Sequence, residues 1–509
     1  MWWRPDLRRK VEASRRRIRG GDDNSVQDGM LAAMPTSHAG LRFGGFLRGN
    51  ALWWVALAAG LLLRLWFLQH PMTPDDDTDV YAELAKNLFH HGTYGIATDG
   101  AIIPTLIRLP GYPLFLGSIF ALFGEGNFTA VLSTQIGIDL LGCWLIASFV
   151  REQVSERAGT ISIFVAALCP FTAAYSTIAL TECLSVFAVS LALWSSGRLL
   201  RAQAQGVRDR GALLFASLAM AMAMLLRPDG VLVAAAVTAA ILWYAWRQGR
   251  LLVGMKTALL CGVLAVLPVA PWAVRNWRTF HVIQPLAPRR VNDPGEYVTY
   301  GFYRWMSTWS ADIVSTGNVF WKVGTDTIDV NDLPSRAFDS PAQRAQTAEL
   351  LAEYNTQRSV TPELDAKFAA LAQERVKAHP VLCLVWVPVL RVADMTLRPR
   401  TETLGLDADW WRYDEHHVES VEAVGLGLLN LALVVAALVG VARGRVPWVA
   451  MAVVYVALRC VLLSTMENSE PRYTLEAMPI LMACAACAFA GTRVRRQQPG
   501  PAAIQEIAT

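Results

Sequence analysis

Four aspartates crowd into five residues, Asp75, Asp76, Asp77 and Asp79, in the stretch PDDDTDVYAELAKNLFHHGTYGI that follows the first long apolar run. Carboxylates beside hydrocarbon are costly unless something uses them. One held near an attacking hydroxyl can serve as a general base; capping the next helix in solvent is the plainer account. Charge recurs in five further segments: Arg108 in IRLPGYP, Glu182 in ALTECLS, Arg227 in LLRPDG, Arg275 in PWAVRNW, and Glu467 through Arg472 in ENSEPRY. Any one interfacial arginine is as readily a snorkelling side chain as a ligand, but six such segments brought to one face by accident is a much weaker explanation. A base next to positioned arginines suits a reaction in which a hydroxyl attacks and a phosphate departs, because guanidinium groups stabilise the charge developing on the leaving oxygen.

The elements that must position these residues are membrane helices. The chain has 509 residues, 54% hydrophobic and only 17% charged, with a mean hydropathy of +0.32, too apolar for a soluble core to bury. Spanning candidates run over 51–69, 128–150, 158–176, 180–198, 211–227, 229–246, 252–272, 420–442, 446–465 and 473–491, each near the length a bilayer requires. Two other apolar stretches, 109–124 and 380–397, are read as lying in the interface or re-entering, because only then do Arg151, Arg157, Arg198, Arg247, Arg250 and Arg443 all face the cytoplasm. Ten spans follow, with both termini inside.

The expected organisation is a basic cytoplasmic tail (1–50), a transmembrane module (51–272) whose first outer loop is 70–127, an extracytoplasmic domain (273–419), C-terminal helices (420–491) and a closing tail (492–509). Residues 1–19 hold eight Arg or Lys against two acids; tethered to a membrane helix, such a segment suits anionic headgroups rather than nucleic acid. Within 273–419, SPAQRAQTAELLAEYN and TPELDAKFAALAQERVKAHP predict helices opened by Ser340 and Thr361. The cysteines sit in apolar stretches, so a disulfide framework is not expected, and Cys484-x-x-Cys487 reads as small-residue helix packing. His90 and His91 show no metal-ligand spacing. Asn127 in NFT has the form of a glycosylation acceptor but lies at a membrane edge. Arg64, inside the first span, reads as a snorkelling residue; Asp139 is the one clear mid-span acid and reads as a buried structural hydrogen bond.

An outward acid-and-arginine site at the lipid boundary fits glycosyl transfer, since a sugar activated outside the cytoplasm must ride on a lipid phosphate. The segments DDDTDVYAELAKNLFHHGTYG, RLPGYPLFLGSIFALFGEG, ALTECLSVFAVSLAL, LLRPDG, PWAVRNWRTFHVIQP and EPRYTLEAMPIL resemble the signatures of the polyprenyl-phosphate-sugar glycosyltransferases of GT-C fold, which include protein O-mannosyltransferases and the lipid A aminoarabinose transferase. The resemblance covers roughly 50–300 and 465–490. It implies an all-α polytopic protein whose first outer loop carries the catalytic acid. Asp77, four residues before Tyr81, matches the family's base, with Asp76 and Asp79 as reserves; Thr78 stands where the family often has Glu. Glu182 matches a second acidic position, and Arg108, Arg227, Arg275 and Arg472 are the candidates for the donor phosphate. The implied partners are a polyprenyl-phosphate sugar, a glycan, lipid or protein acceptor and membrane lipids, in a bacterial inner membrane with the site facing out and the anomeric carbon inverted. No cofactor is required, the lipid-linked sugar being substrate, and a divalent metal stays open. The rival reading is a lipid or glycolipid flippase without transfer chemistry, which would favour internal repeats and mid-membrane polar groups; a catalytically inactive scaffold of the same fold is a third.

Overall fold

The computed structural model of the protein describes residues 51–70, 76–406, 410–444 and 446–490. The two expected tails and Asp75 lie outside the described residues, as does the side chain of Asp76. In chain order the first elements are α1 (Ala51–Gln69), α2 (Asp76–His91), the hairpin β1 (Gly95–Thr98) and β2 (Ala101–Pro104), α3 (Gly111–Phe123), α4 (Phe128–Gln153), α5 (Glu156–Ala167) and α6 (Pro170–Tyr175). Then come α7 (Glu182–Gln205), α8 (Arg210–Leu226), α9 (Val231–Arg247), α10 (Leu251–Val266), α11 (Ala270–Phe280) and α12 (Tyr300–Ser307). The last are α13 (Pro341–Gln357), α14 (Pro362–Ala378), α15 (Val387–Leu397), α16 (His417–Ala442), α17 (Val449–Ser464) and α18 (Met478–Ala488).

The chain is a multi-pass membrane protein. Helices dominate because backbone groups in hydrocarbon must satisfy one another within a segment. Among the described residues α1, α4, α7, α16 and the stretch Pro228–Arg247 are long and apolar enough to cross a bilayer, and α10 with α11 makes a further candidate bent by 48°. The other expected spans are drawn differently. The 158–176 span breaks at Pro170 into α5 and α6, and 473–491 opens as the 3-10 segment Pro471–Ala477 before α18. Prolines lack the N–H that would continue a helix, so they sit where a new turn begins. The 211–227 and 446–465 spans form α8 and α17, of 17 and 16 residues. Helix α3, at 13 residues, reaches only about 20 Å at 1.5 Å per residue, too short to cross. A break containing Pro380 turns α14 by 105° from the following stretch Leu382–Thr403.

Small side chains build the main core, where Ala147, Ala188, Ala192, Ala236, Ala240 and Ala483 bring α4, α7, α9 and α18 into close contact. Cys484 and Cys487 belong to this core, and all eight cysteines are free thiols. The reading of Arg64 as a snorkelling residue is corrected: its guanidinium is fully buried, donates to Asp139 at 2.8 Å and also reaches the carbonyls of Gly60 and Ala167. A charge this deep in apolar surroundings needs a counter-charge more than it needs solvent. Asn127 caps α4, its side chain accepting from the Ala130 amide at 3.1 Å.

The parts that frame the site are tied by specific contacts. Tyr81 on α2 packs edge-on against Tyr112 of α3, at 5.1 Å between centroids. Tyr112 donates to Gln135 of α4 at 2.7 Å, and Gln135 donates to the Ile178 carbonyl at 2.7 Å. Thr78 at the start of α2 donates directly to the Ala179 carbonyl at 3.2 Å, so α2 and the residues leading into Glu182 are locked together. Gly111 lets α3 approach α8, since a Cβ there would stand 2.6 Å from the Leu225 carbonyl oxygen. Between α12 and α15, a second core gathers Phe302, Trp305, Trp309 and Phe368. Ser340 and Thr361 cap α13 and α14 as their positions predict. Buried Arg391 of α15 donates to the carbonyls of Ser307, Ser310 and Ser464, fastening that core to the end of α17.

Breaking the Arg64–Asp139 pair from one side, by Arg64→Met or Asp139→Leu, should cost about 3–5 kcal/mol, whereas replacing both should recover most of the loss. Thermal unfolding of the purified protein reads this directly; single variants that melt like the wild type would contradict the assignment.

Candidate active site

A cavity of about 610 Å³ opens where the beginning of α2, the loops before α7 and after α8, the 287–291 segment, the edge of the second core and the loop after α17 meet. Asp77, Glu182, Arg108, Arg227 and Arg472 all line it. Five segments far apart in sequence therefore deliver their expected charges to one chamber. Two expected members do not share it. Asp79 is exposed and is not among the lining residues. Arg275 is outside the lining too: it donates to the carbonyls of Tyr94 at 2.6 Å and Thr105 at 2.8 Å and stacks on Tyr94, Trp272 and Phe280. Its guanidinium holds the two ends of the hairpin segment, a structural duty that leaves no fork for a phosphate.

Sequence order explains how α2 and Arg108 find each other. Asp99 and Gly100 both take positive φ, 51° and 80°, and turn the chain between β1 and β2, whose register pairs Gly95 with Pro104. This Asp-Gly turn suits the twist of a two-residue hairpin, and DG between short apolar runs was the available signal for strands that the helical reading did not include. The Tyr94 hydroxyl then donates to the carbonyls of Arg108 and Leu109, both at 3.1 Å. Arg108 is thereby held with its guanidinium on Asp77 at 2.5 Å.

The charges divide into a buried floor and a more open wall. On the floor, Arg227 reaches Glu182 at 2.9 Å, Glu476 at 3.1 Å and Asp229 at 3.3 Å. Arg459 of α17 pairs with Asp229 at 2.6 Å and also with Glu476. Two arginines thus face three carboxylates, a network that holds the C-terminal end of α8 against α17. On the wall, Asp77 contacts Arg108 and, at 3.5 Å, Arg472, which also pairs with Glu470. Burial raises the Asp77 carboxyl, but the Arg108 and Arg472 guanidinium groups outweigh it and hold the group below the ordinary carboxylate range. Asp77 is consequently ionised at neutral pH. Opposite, Arg290 grips Glu467 with two bonds of 2.6 and 2.7 Å and lies over the Tyr303 ring, while half-exposed Arg289 stands 3.6 Å from the same carboxylate.

Arg289, Arg290, Glu467, Asp229 and Arg459 complete these networks. Glu467 and Asp229 lie in segments marked in the sequence, ENSEPRY and LLRPDG; Arg289, Arg290 and Arg459 carried no local signal beyond their charge. Apolar side chains form the remaining face: Leu226, Val231 and Leu232 on one side, Leu462, Leu463 and Met466 on the other. Among the described residues no group of three or more His, Cys, Asp or Glu is placed to hold a metal ion. A carboxylate beside arginines, next to a hydrocarbon-lined slot, can hold an amphiphile by its anionic head and present a base to a hydroxyl.

Residues 108–274 match the family model of the dolichyl-phosphate-mannose-protein mannosyltransferases. The match agrees with the resemblance read from the motifs; it takes in Arg108, Glu182 and Arg227 and leaves Asp77 and Arg472 outside. No curated protein sequence matches the chain. Among solved structures, the archaeal oligosaccharyltransferase AglB from Archaeoglobus fulgidus, in complex with an inhibitory peptide and a dolichol-phosphate, aligns at 11% identity with a TM-score of 0.47, over 86% of this chain and 50% of that one. ArnT from Cupriavidus metallidurans in the apo state aligns at 15% identity with a TM-score of 0.37, over 88% of this chain and 76% of that one. ArnT bound to undecaprenyl phosphate aligns at 16% identity with a TM-score of 0.35, over 85% and 76%. The chain spans about half the length of the archaeal protein.

The bonds of Arg275 generate a separable expectation. Arg275→Ala should lower stability by roughly 1.5–3 kcal/mol, the range for a hydrogen bond from a charged group, and leave binding of a polyprenyl phosphate unchanged. Lost lipid-phosphate binding at unchanged melting temperature would return this arginine to the site.

Proposed function

We propose that the protein is a membrane glycosyltransferase that moves a sugar from a polyprenyl-phosphate donor to an acceptor hydroxyl, on the outer face of a bacterial cytoplasmic membrane. The observation that carries this reading is the joint placement of Asp77, Arg108 and Arg472 in a chamber whose other face is apolar. The apolar lining that α9 and the end of α17 contribute, Val231, Leu232, Leu462 and Leu463, suits the first units of a prenyl chain, and the arginines suit its phosphate. The family match over 108–274 supports the donor class.

The chemistry follows from competition for arginine. Arg108 and Arg472 lie on Asp77 and hold its pKa down, so the carboxylate is ionised but a weak base. An arriving phosphate is a second anion with matching bidentate geometry. As the guanidinium groups turn toward it, Asp77 loses its cations and becomes more basic just as the reacting centre is filled. The acceptor oxygen then forms its bond to the anomeric carbon from the face opposite the phosphate, its proton passes to Asp77, and the glycosidic C–O bond breaks with its electrons on the lipid phosphate. Attack from the opposite face inverts the anomeric centre. Arg108 and Arg472 stabilise the charge that gathers on the leaving phosphate. Arg227, held by three carboxylates, is a fixed structural part of the chamber floor, and Glu182 helps to keep it there.

Asp77→Asn should reduce turnover at least ~100-fold, the lower end for general-base catalysis, with donor affinity retained or raised because a competitor for the two arginines is gone. The acid limb of kcat/KM reports the free enzyme, so Arg108→Ala, which removes the nearest cation from Asp77, should move that limb to higher pH. The assay is transfer from a synthetic polyprenyl-phosphate sugar by purified protein. Near-normal turnover in Asp77→Asn, or an acid limb that stays put in Arg108→Ala, would contradict the role; a flippase would give no transfer at all.

A further inference from the structure

One part of the cavity lining has a different character from the rest. Tyr303, from α12, and Phe320 and Trp321, at the end of the π-helical turn Thr316–Phe320, all line it. The Tyr303 and Phe320 rings lie 5.8 Å apart at a shallow 39°. Trp321 is 53% exposed although it stands at the edge of a packed core. The wall is rigid: Phe302 and Trp305, on either side of the Tyr303 turn, are fully buried, and Arg290 lies 4.2 Å over the Tyr303 ring with both its forks committed to Glu467. Most polar groups on the Asp77 side of the cavity are already in ion pairs. Elsewhere in the lining, among the described residues, the Tyr303 hydroxyl, the Trp321 indole N–H and the Asn468 carbonyl oxygen have no hydrogen-bond partner in the protein, since Asn468 uses only its amide nitrogen, on Glu470 and Tyr473.

Flat aromatic faces interleaved with single donors and acceptors fit a ring that is apolar on its faces and hydroxylated at its edge. An added peptide strand would need an open sheet edge, and no residue of β1 or β2 lines the cavity; a proline-rich peptide stacked on the same rings would instead send the label into protein. We propose that Tyr303, Phe320 and Trp321 form a saccharide platform that holds the acceptor, so that the protein extends an existing glycan. The proposal rests on the transferase reading above and adds the acceptor class to it. Trp321 and Tyr303 are binding residues here and touch no reacting atom.

The experiment uses full-length protein in lipid nanodiscs, polyprenyl phosphate carrying a radiolabelled sugar, and membranes from cells lacking the protein, separated into a protein fraction and a glycan-bearing lipid fraction. The label should enter the glycan fraction and resist protease. With that fraction as acceptor, Trp321→Ala should raise the acceptor KM about tenfold, with kcat and donor Kd within twofold of wild type. Trp321→Phe, which keeps a flat face and guards against a folding defect, should raise it less than threefold. Label in the protein fraction overturns the proposal. A weaker donor Kd with unchanged acceptor KM also overturns it, because the platform would then hold the donor's own sugar. Unchanged values throughout make Trp321 an interfacial anchor of the kind common at membrane edges. Absence of any donor turnover by the wild type defeats the transferase reading itself, an outcome distinct from the others.

Discussion

Charge buried at the edge of hydrocarbon has to be answered by other charge or by carbonyl oxygens, and this requirement shapes the protein from its helices to its chamber. Moving an arginine out of water costs several kcal/mol even after relaxation. The chain meets that cost in two ways. Arg64 takes Asp139, and Arg227 and Arg459 share Glu182, Asp229 and Glu476. Arg391 and Arg275 take carbonyls instead, and through them bind loops to helices. Each solution also joins segments far apart in sequence, so electrostatic satisfaction and tertiary structure are one problem here.

The same bookkeeping separates structural arginines from those able to meet a ligand. An arginine facing three carboxylates gains little by turning toward a fourth anion. Arg108 and Arg472 are in a different position: they share Asp77 across a chamber that is open to solvent and lined with hydrocarbon on one side. A phosphate entering there competes with Asp77 and, for Arg472, with Glu470 as well, and Asp77 is the residue that benefits from losing. Ground-state pairing and catalytic activation thus use the same two guanidinium groups. The motion required is side-chain rotation, which α2 permits because its start is pinned by Thr78 on Ala179 and by Tyr81 on Tyr112, away from the carboxylate.

Much of this was legible in the chain. Apolar runs located the long helices, capping residues located α13 and α14, and charge at the ends of apolar runs pointed to Asp77, Glu182, Arg108, Arg227 and Arg472. What stayed hidden was pairing. Arg64 and Asp139 lie on different helices, and only packing brings them together, so one was read as snorkelling. Arg275 and Arg227 look alike in sequence, each closing an apolar stretch with a proline nearby, Pro271 and Pro228, yet one closes on carbonyls and the other on acids. Prolines at 170 and 471 were visible, but hydropathy over a fixed window smooths across a break in a helix, so α5, α6 and α18 differ from the expected continuous spans. The hairpin was missed because four-residue strands add little periodicity beside long helices, although Asp99-Gly100 marked its turn.

The central claim is that the donor phosphate takes Arg108 and Arg472 from Asp77. The most direct measurement is an experimental structure of the protein with a non-transferable polyprenyl phosphonate sugar. The account predicts the phosphonate within hydrogen-bonding distance of at least one of these arginines, Asp77 released from it and facing the anomeric carbon, and the prenyl chain leaving between α9 and α17. A phosphonate bound outside the chamber, or one inside it with Asp77 still clasped by both arginines, would contradict the account.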